Sequence, residues 1–336
     1  MTGMLLSRPF MAAFGQQLNE VLERAKLTPD IVHLPEEPQG RLALADCERI
    51  EVAYMTRDWS HSPDNFYPKF ADAMLAARNL QWVHFTSVGI NQHRFVPPLM
   101  QRGVKFTTSA GANGEPVSQT AIAALLMLAR GFPGWAASQR RRAWEPVRSS
   151  RSPADLRGQT VMVVGLGTIG TLVARFCENL GMNVIGIRRS PRRAGDTLKA
   201  IHTPAGVTAL LPQCQWLIIC CPDNKESHHM VNAEALAALP QGAGIINVSR
   251  GGIIDEPALI AALQSGHIRC AYLDVFEKEP LPLESPLWDM PNVIVTPHNA
   301  AVSAGNDRRS TEIFFANLEK WARGETMQNE QSPRVL

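Results

Sequence analysis

The most restrictive feature of this 336-residue chain is the stretch Val161 to Gly170, where an apolar, β-branched run meets glycines spaced G-x-G-x-x-G. Three glycines alone say little. Here, however, the strand-like Val161 to Val164 precedes them, and a helical run with Ile169, Leu172, Val173 and Phe176 on one face follows. In such a strand–turn–helix, Gly165 makes the tight turn and Gly167 lets a ligand approach the backbone. Gly170 brings helix and strand together, and Thr168 and Ile169 open a helix whose free N–H groups suit a pyrophosphate. The segment therefore predicts an α/β domain that binds a dinucleotide.

The next predicted strand, Val184 to Ile187, ends where a carboxylate usually holds the ribose 2′-hydroxyl, yet Arg188, Arg189 and Ser190 stand there instead. Guanidinium and hydroxyl groups suit a 2′-phosphate, which a carboxylate would repel. NADP is therefore favoured, with NAD as the alternative.

Apolar runs at Val161 to Val164, Val184 to Ile187, Trp216 to Cys220, Gly244 to Val248, Ala271 to Asp274 and Val293 to Thr296 alternate with helix-like segments. A similar alternation occupies the first hundred residues: Met4 to Ser7, Ile31 to Leu34, Ile50 to Met55, Trp82 to Phe85 and Val104 to Thr107. The pattern predicts two parallel-sheet α/β units. Between them, Pro116 to Arg130 carries alanine and leucine on every side, which predicts burial between domains or subunits, and Pro146 to Asp155 reads as a loop. The last helix, Thr311 to Arg323, needs a core to cover, and the first unit is the candidate.

A formal net charge of +2 and 19% charged residues give no field that would recruit nucleic acid or a membrane, so a small molecule is the expected partner. The six cysteines lack C-x-x-C or zinc-site spacing and read as reduced thiols, and the adjacent His228 and His229 read as surface residues, so no metal is expected. Without an export signal or an apolar run of membrane-spanning length, the expected location is the cytoplasm.

Three polar residues follow predicted strands of the second unit: Arg250, Glu279 and His298. Ligands of open α/β sheets bind at the carboxyl ends of strands. Reduction of a 2-keto acid needs a cation for the carboxylate, a proton donor for the developing alkoxide and a group that supports that donor. Arg250 suits the first role and His298, which exchanges a proton near neutrality, the second. Glu279 would favour the imidazolium.

These residues resemble the D-isomer-specific 2-hydroxyacid dehydrogenases. The likeness runs over most of the chain and rests on Gly165 to Gly170, Cys221-Pro222 with Asn232 beyond, Asn247 to Gly252, Leu273 to Phe276 leading to Glu279-Pro280-Leu281, and Asn292 to His298. It implies two flavodoxin-like or Rossmann-like domains, with the cofactor domain (112–299) inserted into a substrate domain made of both chain ends (1–111 and 300–336). The resemblance also implies Cys221, Pro222, Val248 and Ser249 at the cofactor, Asp274 near its nicotinamide end, and a homodimer. Ser87-Val88-Gly89-Ile90 matches the family loop whose backbone holds the substrate carboxylate, which carries Val88 and Gly89 over as substrate-binding residues. Arg57, just past Ile50 to Met55, is either a third such residue or an exposed arginine.

Gln119 and Asp223-Asn224 depart from the family pattern close to the expected cleft. The expected activity is NADP(H)-dependent reduction of a small 2-keto acid such as glyoxylate or hydroxypyruvate. The alternatives are a cofactor-sensing corepressor-like protein and a dehydrogenase of another small acid such as formate or phosphite.

Overall fold

The computed structural model describes residues 1–37, 39–60, 66–90, 93–147, 152–192 and 195–331. It divides into two compact units, Met1–Ala112 with Ala304–Leu336, and Asn113–Ser303.

The first unit is a five-stranded parallel sheet of β1 (Thr2–Leu5), β2 (Pro29–Val32), β3 (Val52–Met55), β4 (Trp82–Phe85) and β5 (Lys105–Thr108), in the order β2-β1-β3-β4-β5. Strands β1, β3 and β4 are buried along their whole length, as parallel strands covered by helices on both faces must be, and they read as mainly apolar runs with Thr2 and His84 as buried polar members. One face packs Val83, Phe85 and Phe106 against Phe70, Met74 and Phe95. The other packs Met4, Tyr54 and Trp82 against the Arg8–Ala25 helix and the C-terminal Asn306–Ala322 helix. Phe314 of that last helix stacks on Tyr54 at 4.5 Å and on Trp82 at 5.4 Å, so the chain's end completes this core, as the helical spacing of Phe314 and Leu318 predicts. Burying such a phenylalanine contributes about 2–3 kcal/mol.

A polar chain crosses the same core. Trp82 Nε1 donates to Thr107 Oγ1 at 2.8 Å, and Thr107 Oγ1 lies 2.7 Å from Nδ1 of the fully buried His84. Nε2 of His84 is 3.0 Å from Ser109 Oγ, whose own proton goes to the Phe85 carbonyl at 2.9 Å. Ser109 must therefore accept from Nε2, and Nδ1 accepts from Thr107. The ring is neutral with its proton on Nε2, and burial pushes its pKa down to about 3.

The second unit has seven parallel strands: β6 (Thr160–Val164), β7 (Asn183–Ile187), β8 (Ala200–His202), β9 (Trp216–Ile219), β10 (Ala243–Asn247), β11 (Ile268–Leu273) and β12 (Val293–Val295). Their order is β12-β11-β10-β9-β6-β7-β8. The winding reverses between β6 and β9, and a ligand crevice opens where successive crossovers diverge to opposite sides. Strand β8 is absent from the apolar pattern because it is a three-residue edge strand, part exposed, that pairs through its backbone with β7.

The Gly114–Arg130 helix carries the expected apolar surface. It lies in this unit with Ala121, Leu125 and Leu128 buried against the sheet and the helix that follows the glycine turn, while Leu126 and Met127 on its other side are over a third exposed. Within a single chain the helix is therefore one-sided; the small alanines hide that asymmetry in the sequence. Residues 148–151 of the expected Pro146 to Asp155 loop lie outside the described residues. Among the described residues no single helix is long and apolar enough to cross a membrane.

Candidate functional site

The glycine turn follows β6 and Cys221 follows β9, so the two flank the reversal point. A pocket of about 420 Å³ opens there, lined by Gly165, Leu166, Gly167, Arg188, Arg189, Ser190, Cys221 and Pro222, and closed on one side by Asn224, Glu226, Ser227 and Met230. Gly165 has φ +95°, and a Cβ on it would fall 2.6 Å from the Cys221 nitrogen. A Cβ on Gly170 would fall 1.8 Å from the Gly165 carbonyl oxygen. At Gly167, by contrast, an added Cβ meets nothing within 4 Å, and no side chain caps the Thr168–Asn179 helix that begins there. Two glycines close the turn and the third keeps its mouth open, with uncapped helix N–H groups at the opening. That suits a pyrophosphate.

Behind the turn, Ser249 Oγ donates to the Cys221 carbonyl, Val248 is buried, and Val248, Ser249 and Arg250 follow β10 directly. Burial pushes the Cys221 thiol up to about 11, so it lines the pocket as an un-ionised side chain. The departure at 223–224 has a structural content. Asn224 Oδ1 accepts from the amides of Glu226 and Ser227, and Ser227 Oγ donates to the Pro222 carbonyl, which folds 222–227 into the tight turn that walls the pocket.

The basic residues after β7 are not equivalent. Arg188 is held inside its own loop: Nη1 and Nη2 donate to the two carboxylate oxygens of Asp196 at 2.8 and 2.5 Å, Nη2 also to the Pro191 carbonyl, and Nε to the Ser190 carbonyl. Four donor contacts are thus engaged and the charge is neutralised. Arg189 is exposed beside the pocket.

On the neighbouring strand ends, His298 Nδ1 lies 2.7 Å from Glu279 Oε2. His298 sits at φ +54°, with its amide donating to the carbonyls of Asp274 at 2.8 Å and Thr296 at 3.0 Å. Asp274 itself is buried. Its Oδ1 accepts from Thr296 Oγ1 at 2.6 Å, Asn299 N at 2.8 Å and Ala300 N at 3.0 Å, and its Oδ2 also faces Ala300 N at 3.0 Å. Within this chain Asp274, the residue expected near the nicotinamide end of a cofactor, anchors the turn that carries His298. Glu279 Oε1 accepts from the Phe276 amide at 3.1 Å, which aims its other oxygen at the histidine. A cavity of about 370 Å³ with walls from Phe276, Leu281, Trp288 and Pro297 adjoins the pair.

Arg250 stands one strand away. Its Nη1 donates to its own Ser249 carbonyl at 2.7 Å, and among the described residues it forms no ion pair. The structure therefore pairs His298 with Glu279 directly and brings Arg250 to the same sheet edge without a bond to either. Arg57, Val88 and Gly89 belong to the first unit, at the ends of β3 and β4. Arg57 Nη1 is 4.0 Å from Asp307 Oδ1, Val88 is half-exposed, and Ser87 Oγ donates to the Gly89 carbonyl. His228 and His229, expected as plain surface residues, are stacked at 4.2 Å and ion-paired with Asp223 and Glu277. Among the described residues no group of three or more His, Cys, Asp or Glu is arranged to hold a metal ion.

A family profile described as D-isomer specific 2-hydroxyacid dehydrogenase, NAD binding domain, matches residues 122–300, more than half of the chain. The chain belongs to this family. Among relatives of the 2-hydroxyacid dehydrogenase family, glyoxylate/hydroxypyruvate reductase B of Yersinia pestis is 32% identical over 268 residues, covering 79% of this chain and 81% of that protein. D-3-phosphoglycerate dehydrogenase of Methanocaldococcus jannaschii is 30% identical over 259 residues, and the matched region spans 48% of that longer protein. The chain thus spans about half the length of the phosphoglycerate dehydrogenases it matches. The solved D-isomer specific 2-hydroxyacid dehydrogenase of Xanthobacter autotrophicus Py2, in complex with NADPH and MES, superposes with a TM-score of 0.74 at 30% identity, covering 99% of this chain and 98% of that one. Both sheets of this chain accordingly follow the doubly wound, parallel plan of the 2-hydroxyacid dehydrogenases.

Proposed function

We propose that the protein is an NADP(H)-dependent D-2-hydroxyacid dehydrogenase that reduces a small 2-keto acid of the glyoxylate or hydroxypyruvate kind. The observation that carries this reading is the His298–Glu279 pair at 2.7 Å, held at a strand end beside the Arg250 turn. Gly165, Gly167, Gly170 and the first residues of the Thr168–Asn179 helix would hold the cofactor's pyrophosphate, and Arg189 with Ser190 its 2′-phosphate. Arg188, tied to Asp196, shapes that loop. When bound, the nicotinamide supplies the hydride that adds to the keto carbon.

The chain's own residues do the rest. Arg250 grips the carboxylate and polarises the carbonyl, and its swing away from Ser249 costs one neutral hydrogen bond while gaining a charge-assisted one. Glu279 occupies Nδ1 of His298, which leaves Nε2 to deliver a proton to the developing alkoxide. Val88 and Gly89 offer backbone N–H groups to the carboxylate, and Arg57 adds charge at the same edge of the first unit.

Purified protein with NADPH and a panel of 2-keto acids should consume cofactor, and His298→Ala should lose about a hundredfold or more of that rate while keeping the fold. An undiminished rate in the variant would refute the mechanism. We assign the working form as a homodimer, on the strength of the exposed apolar side chains of Leu126, Met127, Phe132, Trp135 and Trp144. Sedimentation of the purified protein as a monomer would overturn that assignment.

A further inference from the structure

Three loops at the carboxyl edge of the second sheet are tied together by groups that the proposed chemistry does not use. The loop after β9 carries His228 and His229; the loop after β10 carries Arg250, Gly251 and Gly252; the loop after β11 carries Glu277 and Glu279. His229 touches both of the others. Its amide donates to the Gly252 carbonyl at 2.8 Å, and its Nε2 lies 2.9 Å from Glu277 Oε1. Glu277 is held a second way: its Oε1 accepts from the Glu256 amide at 3.2 Å, while its own amide donates to Glu256 Oε2 at 3.3 Å. This reciprocal bracket fixes the backbone two residues before Glu279.

Close packing shows that the bracket bears on Arg250. A Cβ on Gly251 would fall 1.8 Å from the Phe276 carbonyl carbon and 2.3 Å from the Glu277 nitrogen, so the turn after Arg250 lies directly on the segment that leads to Glu279. A Cβ on Gly252 would fall 2.5 Å from Asp223 Oδ2, which shows the 223–229 loop pressed on the same turn from the other side. His229 is held at φ +49°, a left-handed conformation that a non-glycine residue adopts only where its surroundings fix it.

We infer that His229 is a positioning residue which, by gripping Glu277 while its backbone holds Gly252, fixes the loop of Glu279 against the turn of Arg250. The kinetic consequence rests on the dehydrogenase reading above; the structural consequence does not. The titratable groups facing His229 are the stacked His228, with Asp223 3.4 Å beyond it, Glu277, and Glu256 across from Glu277. Burial raises the Glu256 pKa against the bond it accepts from the Glu277 amide, so a hydrogen-bond donor beside the two carboxylates stabilises the bracket.

Backbone amide exchange at Phe276 and Glu277 reads the brace directly, and steady-state kinetics with NADPH read its effect. His229→Ala is expected to speed exchange at both amides and to lower kcat by about tenfold, the scale of a small misplacement of catalytic groups, with KM for NADPH little changed. His229→Gln, which restores a donor near the Nε2 position, should recover most of kcat and return exchange at both amides toward the wild-type rate. Should His229→Ala lose its melting transition, Glu277→Gln is the second variant, with faster exchange expected at Glu256. Unchanged exchange in these variants overturns the inference, even if kcat falls. A wild-type protein that reduces no 2-keto acid would sink the proposed function and leave the exchange result to decide the brace.

Discussion

Nδ1 of His298 and Oε2 of Glu279 lie 2.7 Å apart, and Oε1 of the same carboxylate is fixed by the Phe276 amide, so the imidazole is oriented by an acid that is itself oriented. The pair leaves only Nε2 for substrate. Glu279→Gln keeps a polar partner of equal size but permits the amide to donate toward Nδ1 and so favour the wrong tautomer. We expect kcat for 2-keto acid reduction to fall by about ten- to a hundredfold, with NADPH binding unaffected in a fluorescence titration. Equal loss of cofactor affinity would show that Glu279 acts on the pocket rather than on the proton donor.

Arg188 and Arg189 are adjacent in sequence but differ in what holds them, and cofactor preference should divide accordingly. With Arg188 neutralised by Asp196, Arg189 is the cation without an ion pair among the described residues that line the pocket. Arg189→Ala should weaken NADPH by about ten- to a hundredfold, the worth of a charge-assisted hydrogen bond, and leave NADH nearly unchanged. Arg188→Ala removes the bonds that hold Ser190, Pro191 and Asp196 together and should weaken both cofactors alike. Titrations with the two nucleotides check this, and an NADH-selective wild type would overturn the NADP assignment.

Much of this is legible in the sequence. Strands such as Val52–Met55 and Trp82–Phe85 are covered on both faces, so burial shows as mainly apolar runs, and Arg250, Glu279 and His298 stand just past such runs where ligands gather. What stayed hidden were pairs with no spacing rule. Asp196 reaches Arg188 across a loop, Glu277 meets Glu256 from another element, and both acids look like surface charge in sequence. Asp274 was visible, but its work was not, because a carboxylate aimed at backbone amides of the next turn resembles one aimed at a ligand. The Asn224 to Ser227 turn carried a readable signal, an Asn followed by a Ser three residues later.

His84 gives the first unit a defined acid sensitivity. Its folded-state pKa is pushed to about 3, chiefly by burial and against a bond to the Ser310 backbone, so the native ring stays neutral where the unfolded chain takes up a proton. The stability linked to this group is fully present above its unfolded value of ~6.5 and is lost as pH falls from there toward 3, at up to ~1.4 kcal/mol per pH unit. Burial also lowers His93, with the same sign. Chemical denaturation at neutral and at mildly acidic pH should show this slope. His84→Gln should cost roughly 1–3 kcal/mol at neutral pH by disturbing the Thr107 and Ser109 bonds, yet flatten the acid slope; an unchanged slope would mean that His84 is not its source.

The three glycines of the phosphate turn should fail differently when each gains a methyl group. At Gly170 the new Cβ would stand 1.8 Å from a backbone oxygen that cannot move without opening the turn, so Gly170→Ala should destabilise the protein by about 3 kcal/mol or more and lower its melting temperature. Gly165→Ala meets both a backbone clash with Cys221 and an unfavourable φ of +95°, and should be at least as damaging. Gly167 has ordinary dihedrals, φ −80° and ψ −162°, and free space beyond its Cα. Gly167→Ala should therefore melt within about 0.5 kcal/mol of the wild type while binding NADPH about tenfold more weakly or worse, a cost of ~1.4 kcal/mol, because its methyl group occupies the space left for the pyrophosphate. Equal cofactor affinity in Gly167→Ala and the wild type would show that the open face of this turn is not where the phosphates lie.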